Sequence, residues 1–133
     1  MRGMAARKTI DELLVEARAS LERVGPQEAR QAVRDGALLI DIRAEHQRAA
    51  DGVVPEAIWF ERNVLEWRCD PSSDARDERV GGLDRHVIVM CDESYTSSLA
   101  AAALQQLGFA RATDLDGGFQ AWRAAGLPVD SAP

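Results

Sequence analysis

Cysteine is scarce in this sequence: Cys69 and Cys91 are the only two in 133 residues, with no C-x-x-C pair and no cluster of cysteine with histidine. That excludes a disulfide scaffold and leaves too few ligands for a structural zinc site. No apolar run approaches the ~20 residues that cross a bilayer. Basic charge is in deficit as well. Sixteen Lys and Arg stand against 22 Asp and Glu, a net charge of −6, and the basic residues are scattered along the chain. A nucleic-acid groove needs them concentrated on one face. Met1 to Lys8 is basic, but acidic, periodic Thr9–Leu21 follows it. The apolar block and cleavage site of a signal peptide are missing there, so a cytoplasmic location is expected. Internal repeats and low-complexity segments are absent too.

What is present suits one soluble domain with its own core: 46% hydrophobic and 29% charged residues. Thr9-Ile-Asp-Glu12 has the form of a capping box, followed by Ile10, Leu13, Leu14, Ala17 and Leu21 at helical spacing. Pro26 suits the first turn of a second helix over 26–34, which Gly36 ends. Ala37–Ile42 is a short, almost wholly apolar run, as expected of a parallel strand buried on both faces. A helix is expected over 44–50, a strand over 57–60, and a short helix capped by Asn63 through Trp67. Residues 69–85 read as a surface excursion. His86–Met90 is the clearest strand, and an Ala- and Leu-rich helix over 97–107 follows it, with Ser97 and Ser98 as cap residues. A strand over 112–115 and a helix from Gly117-Gly118 to Gly126 close the chain.

Alternation of strands and helices implies an α/β fold, with a central parallel sheet of four or five strands and helices on both faces. In such sheets the functional crevice lies beyond the carboxyl ends of the strands. The residues delivered there are Asp41–Arg43, Glu61–Arg62, Cys91 onward and Asp116. Cys91 thus stands at a strand end, before a short loop and a helix N-terminus. Backbone N–H groups in such a loop can curve round an anion, and the helix dipole favours a thiolate. A cysteine that merely fills core is the competing reading.

Four segments then resemble one family. Leu39-Ile-Asp-Ile-Arg43 resembles the L-I-D-V-R segment of rhodanese-like domains, and Gly52-Val-Val-Pro-Glu-Ala-Ile58 resembles their G-H-I-P-G-A segment. Val87–Cys91 with its six loop residues resembles their active-site strand and loop. Gly117-Gly-Phe-Gln-Ala-Trp122, then Gly126-Leu-Pro128, resembles their closing signature. The resemblance covers 22–129, leaving 1–21 as an N-terminal helical extension and 130–133 as a tail.

The resemblance implies a sulfurtransferase or persulfide carrier. Cys91 would take a sulfane sulfur from a small donor such as thiosulfate and pass it to a thiol, cyanide-type or protein acceptor. The backbone amides of Asp92, Glu93, Ser94, Tyr95, Thr96 and Ser97 would form the cradle. No metal, organic cofactor, nucleic acid or membrane is implied. The common family loop has the form C-R-x-G-x-R-S, whereas this loop reads Cys-Asp-Glu-Ser-Tyr-Thr-Ser over 91–97. The loop side chains carry two negative charges, on Asp92 and Glu93, and no positive one, which predicts weak use of thiosulfate, and Ser94 stands where glycine is frequent. Two other classes stay open: a non-catalytic binding module, and a cysteine phosphatase or arsenate reductase. A phosphatase of this shape carries C-x5-R, and position 97 is serine.

Asp41 and Arg43 read as a structural pair holding loops, with Arg43 also a candidate for the crevice wall. Arg62 either supplies the missing cation there or pairs with Glu66 one helical turn on. Trp59, Trp67 and Trp122 are expected in the core or the crevice wall. His86 precedes Cys91 by five residues on one strand, roughly 16 Å away, too far for a Cys–His pair. His46 is expected to face solvent. A resolving role for Cys69 has no spacing rule behind it.

Overall fold

The computed structural model describes residues 6–133. The first five residues, part of the basic Met1–Lys8 stretch, lie outside the described residues. The chain runs through α1 (Ile10–Arg18), α2 (Pro26–Arg34), β1 (Leu38–Asp41), α3 (Glu45–Asp51), β2 (Ile58–Trp59), α4 (Leu65–Cys69), β3 (Val87–Met90), α5 (Thr96–Gln106), β4 (Thr113–Asp114) and α6 (Gly118–Ala124). Single turns of 3₁₀ helix span Arg62–Val64 and Glu78–Val80.

The four strands are all parallel, in the order β2-β1-β3-β4. Val24 adds a one-residue parallel bridge to Leu115 where a fifth strand would lie. All four residues of β1 and of β3 are buried, which explains their unbroken apolar runs. Period two then divides the core. Leu38, Ile40, Val87 and Val89 pack with Leu65 and Cys69 of α4 and Ala100, Ala101 and Leu104 of α5 on one face. Leu39, Ile88 and Met90 pack with Ala29 of α2 and Phe119 and Trp122 of α6 on the other.

The sequence expectations of a parallel sheet with helices on both faces hold, and two expected helix caps, at α5 and α4, need correction. The capping box of α1 forms: Glu12 N donates to Thr9 Oγ1 and Thr9 N to Glu12 Oε1, both at 3.1 Å. Yet no residue of α1 is buried. It lies on the outer side of α5, so Ile10 and Leu13 of its apolar stripe stay exposed. Ser97 and Ser98 do not cap α5. The N-cap position falls on Tyr95 and has no side-chain bond, because a buried carboxylate draws both hydroxyls inward. Asn63 caps no helix either, since the N-cap of α4 is Val64. Position 130 is tied to the domain: Val53 and Asp130 exchange N–H···O bonds of 2.8 Å each way. Among the described residues no helix is long and apolar enough to cross a membrane.

Candidate active site

Strands β1 and β3 lie in register with Asp41 opposite Met90, and Ile42 N donates to Met90 O at 2.9 Å. The next residues of each strand therefore leave the sheet side by side. This is why Arg43 and Cys91 share one wall of a concavity of about 260 Å³, lined by Ile42, Arg43, Gln47, Cys91, Asp92, Glu93, Tyr95 and Thr96. Cys91 is a free cysteine, 5% exposed, at the C-terminal end of β3.

The loop after it is turned by its carbonyls. Phe119 N donates to Cys91 O at 2.9 Å and Gln120 N to Asp92 O at 3.1 Å. Ser94 N points back and donates to Cys91 Sγ at 3.2 Å. The amides of Asp92, Glu93, Tyr95, Thr96 and Ser97 have no acceptor among the described residues. A loop whose amides are unspent, at the start of an eleven-residue helix, is suited to hold a thiolate and an anionic sulfur attached to it.

Ser94 takes the conformation that a glycine would favour, with φ 74°, the one non-glycine residue with positive φ among those described. Its neighbours hold it there. Ser94 Oγ accepts from Gly117 N at 3.0 Å, and Ser94 O accepts from Arg18 Nη2 at 2.8 Å.

Behind the loop lies Asp114, fully buried. It accepts from Ser97 Oγ at 2.8 Å, Ser98 Oγ at 2.7 Å and Arg23 Nε at 2.8 Å. Burial opposes the charge on Arg23. The hydrogen bond to Asp114 and the charges of Asp114, Asp116 and Cys91 outweigh it and raise the pKa of the arginine. Asp116, placed at the sheet edge by sequence, is largely exposed and only meets Arg23 Nη1 at 3.3 Å. Of the two loop carboxylates, Asp92 accepts from Gln120 Nε2 at 2.9 Å, while Glu93 is exposed.

Arg43 is a structural pair member and a wall residue at once. Its Nε and Nη2 clasp Asp41 at 3.1 and 2.8 Å, Nη2 also reaches Gly52 O at 2.9 Å, and the guanidinium lies 3.8 Å above the Phe119 ring. Its Nη1 has no partner among the described residues. Arg48 adds a second contact to Asp41 at 3.3 Å. Arg62 does not join the crevice, because Glu66 takes its Nη1 at 2.8 Å across one turn.

Other residues fall away from the site. Cys69 is buried among apolar side chains, and burial, then Glu66 and Asp77, push its thiol up to about 12. His86 lies at the other end of the sheet, where burial and Arg111 lower its pKa against Glu22; His46 is exposed. Trp122 fills core, and Trp59 is half-buried beneath Arg48 with its Nε1 on Arg43 O at 2.9 Å. Trp67 is 60% exposed and belongs to neither core nor crevice. Among the described residues no group of three or more His, Cys, Asp or Glu is placed to hold a metal ion.

Sequence reasoning passed over Arg18, Arg23, Asp114 and Gln120, and read Ser98 only as a helix cap. A faint signal existed for two of them. Arg18 stands four residues after Leu14 on the packed stripe of α1, and Asp114 is a charged residue in a short strand expected to join the sheet.

The chain is similar to known proteins over nearly all its length. It is 33% identical over 112 residues to the thiosulfate sulfurtransferase GlpE of Pseudomonas aeruginosa (strain LESB58), covering 84% of this chain and 92% of that one. A solved structure from Rhodopseudomonas palustris CGA009, described as a protein of unknown function and possible tyrosine phosphatase, superposes with a TM-score of 0.84 at 28% identity. That match covers 98% of this chain and all of the other. The polysulfide-sulfur transferase homodimer of Wolinella succinogenes shares the fold, with a TM-score of 0.72 at 23% identity over 88% of this chain and 83% of that one. The family model for the rhodanese-like domain matches residues 25–125, and the chain belongs to that family.

Proposed function

We propose that the protein is a sulfurtransferase that carries sulfane sulfur as a persulfide on Cys91. The observation that carries this reading is the Cys91 thiol at the end of β3, in an open concavity, with Ser94 N–H on its sulfur and five further loop amides unspent. The relatives named thiosulfate sulfurtransferase support the same chemistry.

In the first half-reaction the Cys91 thiolate attacks the outer sulfur of a donor such as thiosulfate. A sulfur–sulfur bond forms to Cys91, the donor's own sulfur–sulfur bond breaks, and its electron pair leaves with sulfite. The loop amides hold the resulting anionic persulfide. In the second half, a thiolate or cyanide attacks the outer persulfide sulfur and the pair in the broken bond returns to Cys91 as thiolate. The acceptor is a small nucleophile or a protein thiol. Two free cysteines and no disulfide fit a reducing, cytoplasmic compartment.

Intact mass after incubation with thiosulfate or a polysulfide tests this: a gain of one sulfur, removed by cyanide, is the expected result. A phosphatase reading is favoured by the description of the Rhodopseudomonas neighbour. Against it, the residue six after Cys91 is Ser97, whose hydroxyl is spent on Asp114, so no loop arginine clamps a phosphate. Turnover of an aryl phosphate without any sulfur uptake would reverse the order of the two readings.

A further inference from the structure

We propose that Arg18, on the N-terminal helix and outside the segment matched by the family, is a positioning residue for Cys91: it holds the Ser94 carbonyl and supplies from behind the cation that the loop lacks.

Ser94 links the two. Its N–H donates to Cys91 Sγ at 3.2 Å, and its carbonyl, on the other side of the same residue, accepts from Arg18 Nη2 at 2.8 Å. A serine at φ 74° is in a sparsely populated, strained conformation. Such a residue keeps it only where its surroundings over-determine it. Arg18 is the strongest of the carbonyl's donors and is anchored by a second bond, Nε to Ser98 Oγ at 3.0 Å. Arg23 Nη2 approaches the same carbonyl at 3.5 Å but is engaged by Asp114 and Asp116. Arg18 forms no ion pair among the described residues, so its charge is not cancelled by a partner.

The charged and titratable groups around Cys91 come from every side. Arg43 stands at the end of β1, clasped by Asp41; Asp92, Glu93 and Tyr95 lie on the loop; Arg23, Asp114 and Asp116 lie behind it. α6 offers the amide of Gln120, with Arg123 behind it on Gln120 Oε1 and paired with Asp51. Arg18 is the cation of this set without a carboxylate against it, and it opposes the two loop carboxylates. Its removal withdraws a favourable charge and loosens the turn that aims Ser94 N–H, and both effects disfavour the thiolate.

This inference rests on Cys91 being the reactive thiol, and its test reads thiol reactivity separately from sulfur transfer. The rate of alkylation of Cys91 by neutral iodoacetamide is followed against pH in the native protein, Arg18→Met and Arg18→Lys, with peptide mapping to Cys91. Since α1 buries no residue, the Met variant keeps the stem and is expected to fold with a near-native melting temperature. Its midpoint should move up by about half to one pH unit, slowing alkylation roughly three- to tenfold at neutral pH, and Arg18→Lys should recover part of the loss. A Met profile superimposed on the native one overturns the proposal. Should the Met variant fail to fold, a Lys profile indistinguishable from native overturns it, and an intermediate one upholds it. Sulfur loading of the native protein is measured alongside. Loading with an unmoved profile defeats this inference alone, whereas a shifted profile without loading defeats the sulfurtransferase reading alone.

Discussion

Gly118 stands so close to the backbone of Cys91 that a Cβ on it would fall 2.5 Å from the Cys91 carbonyl oxygen and 2.6 Å from that of Asp92. Its φ of +61° is itself unfavourable for any side chain. The absence of a side chain lets α6 begin against the loop, and the amides of Phe119 and Gln120 then take up the two carbonyls. Carbonyls turned toward α6 leave the amides on the other side of the loop. Gly118→Ala should therefore cost about 2–4 kcal/mol in urea unfolding, and sulfur uptake should fall beyond what the lost stability explains. A variant of native stability and native uptake would show that the loop does not depend on this close approach.

Sulfur taken from a donor should map to Cys91 alone. Cys91→Ser should abolish the gain of one sulfur in intact mass, and Cys69→Ser should retain it, because Cys69 is buried with a thiol pushed up to about 12. Peptide mapping of the loaded protein decides the matter, and a label residing on Cys69 would reverse the assignment.

The same thiol makes stability depend on pH at the alkaline end. In the folded chain Cys69 holds its proton up to about 12, against an ordinary value of 9.0. Its contribution is whole below pH 9, where both states are protonated, and is lost as pH rises from there toward 12, because the unfolded chain releases the proton first. Urea midpoints of the native protein and Cys69→Ala, measured from pH 7 to 11, should converge as pH rises. Parallel curves would mean that the thiol is not held neutral by its surroundings.

Thiosulfate should meet repulsion at the loop. Glu93 is exposed and Asp92 carries its charge to Gln120, an uncharged partner. Arg62 brings no relief, since Glu66 engages it. Asp92→Asn combined with Glu93→Gln keeps size and removes both charges. It should raise kcat/KM for thiosulfate by about three- to tenfold at low ionic strength, with the gain shrinking in high salt. Brisk native turnover that the neutral variant does not improve would place the balance of charge with Arg18 and Arg43 instead.

Asp41 bears the buried charge of Arg43 and touches Arg48 as well. Asp41→Ala leaves Arg43 with only the Gly52 carbonyl and the face of Phe119. The expected loss is about 3–5 kcal/mol, read as a lowered urea midpoint at unchanged slope. A loss within 1 kcal/mol would mean that Arg43 re-solvates through the concavity.

The layers, and the place of Cys91 at the edge of the sheet, are legible in the sequence. Apolar runs at Leu38–Asp41 and Val87–Met90 can be buried only between two helix layers, and their alternation with helical patterns compels parallel pairing. The strand–Cys91–helix order likewise places the thiol at the carboxyl edge of the sheet, whatever the details. Ser94 as a strained position was legible too, from a serine where glycine is common. Arg62 stayed ambiguous, because spacing allowed both the crevice and Glu66, and only packing chose Glu66. Tertiary structure alone decided what lies behind the loop. Arg18 and Ser94 are 76 residues apart, and Arg23 and Asp114 are 91 apart. No local periodicity carries information across such distances; the contacts arise when α1 lies along α5 and the loop's hydroxyls turn toward a carboxylate buried on β4. Serines that read as helix caps became ligands of that carboxylate, because a buried charge demands donors more strongly than an exposed helix end does.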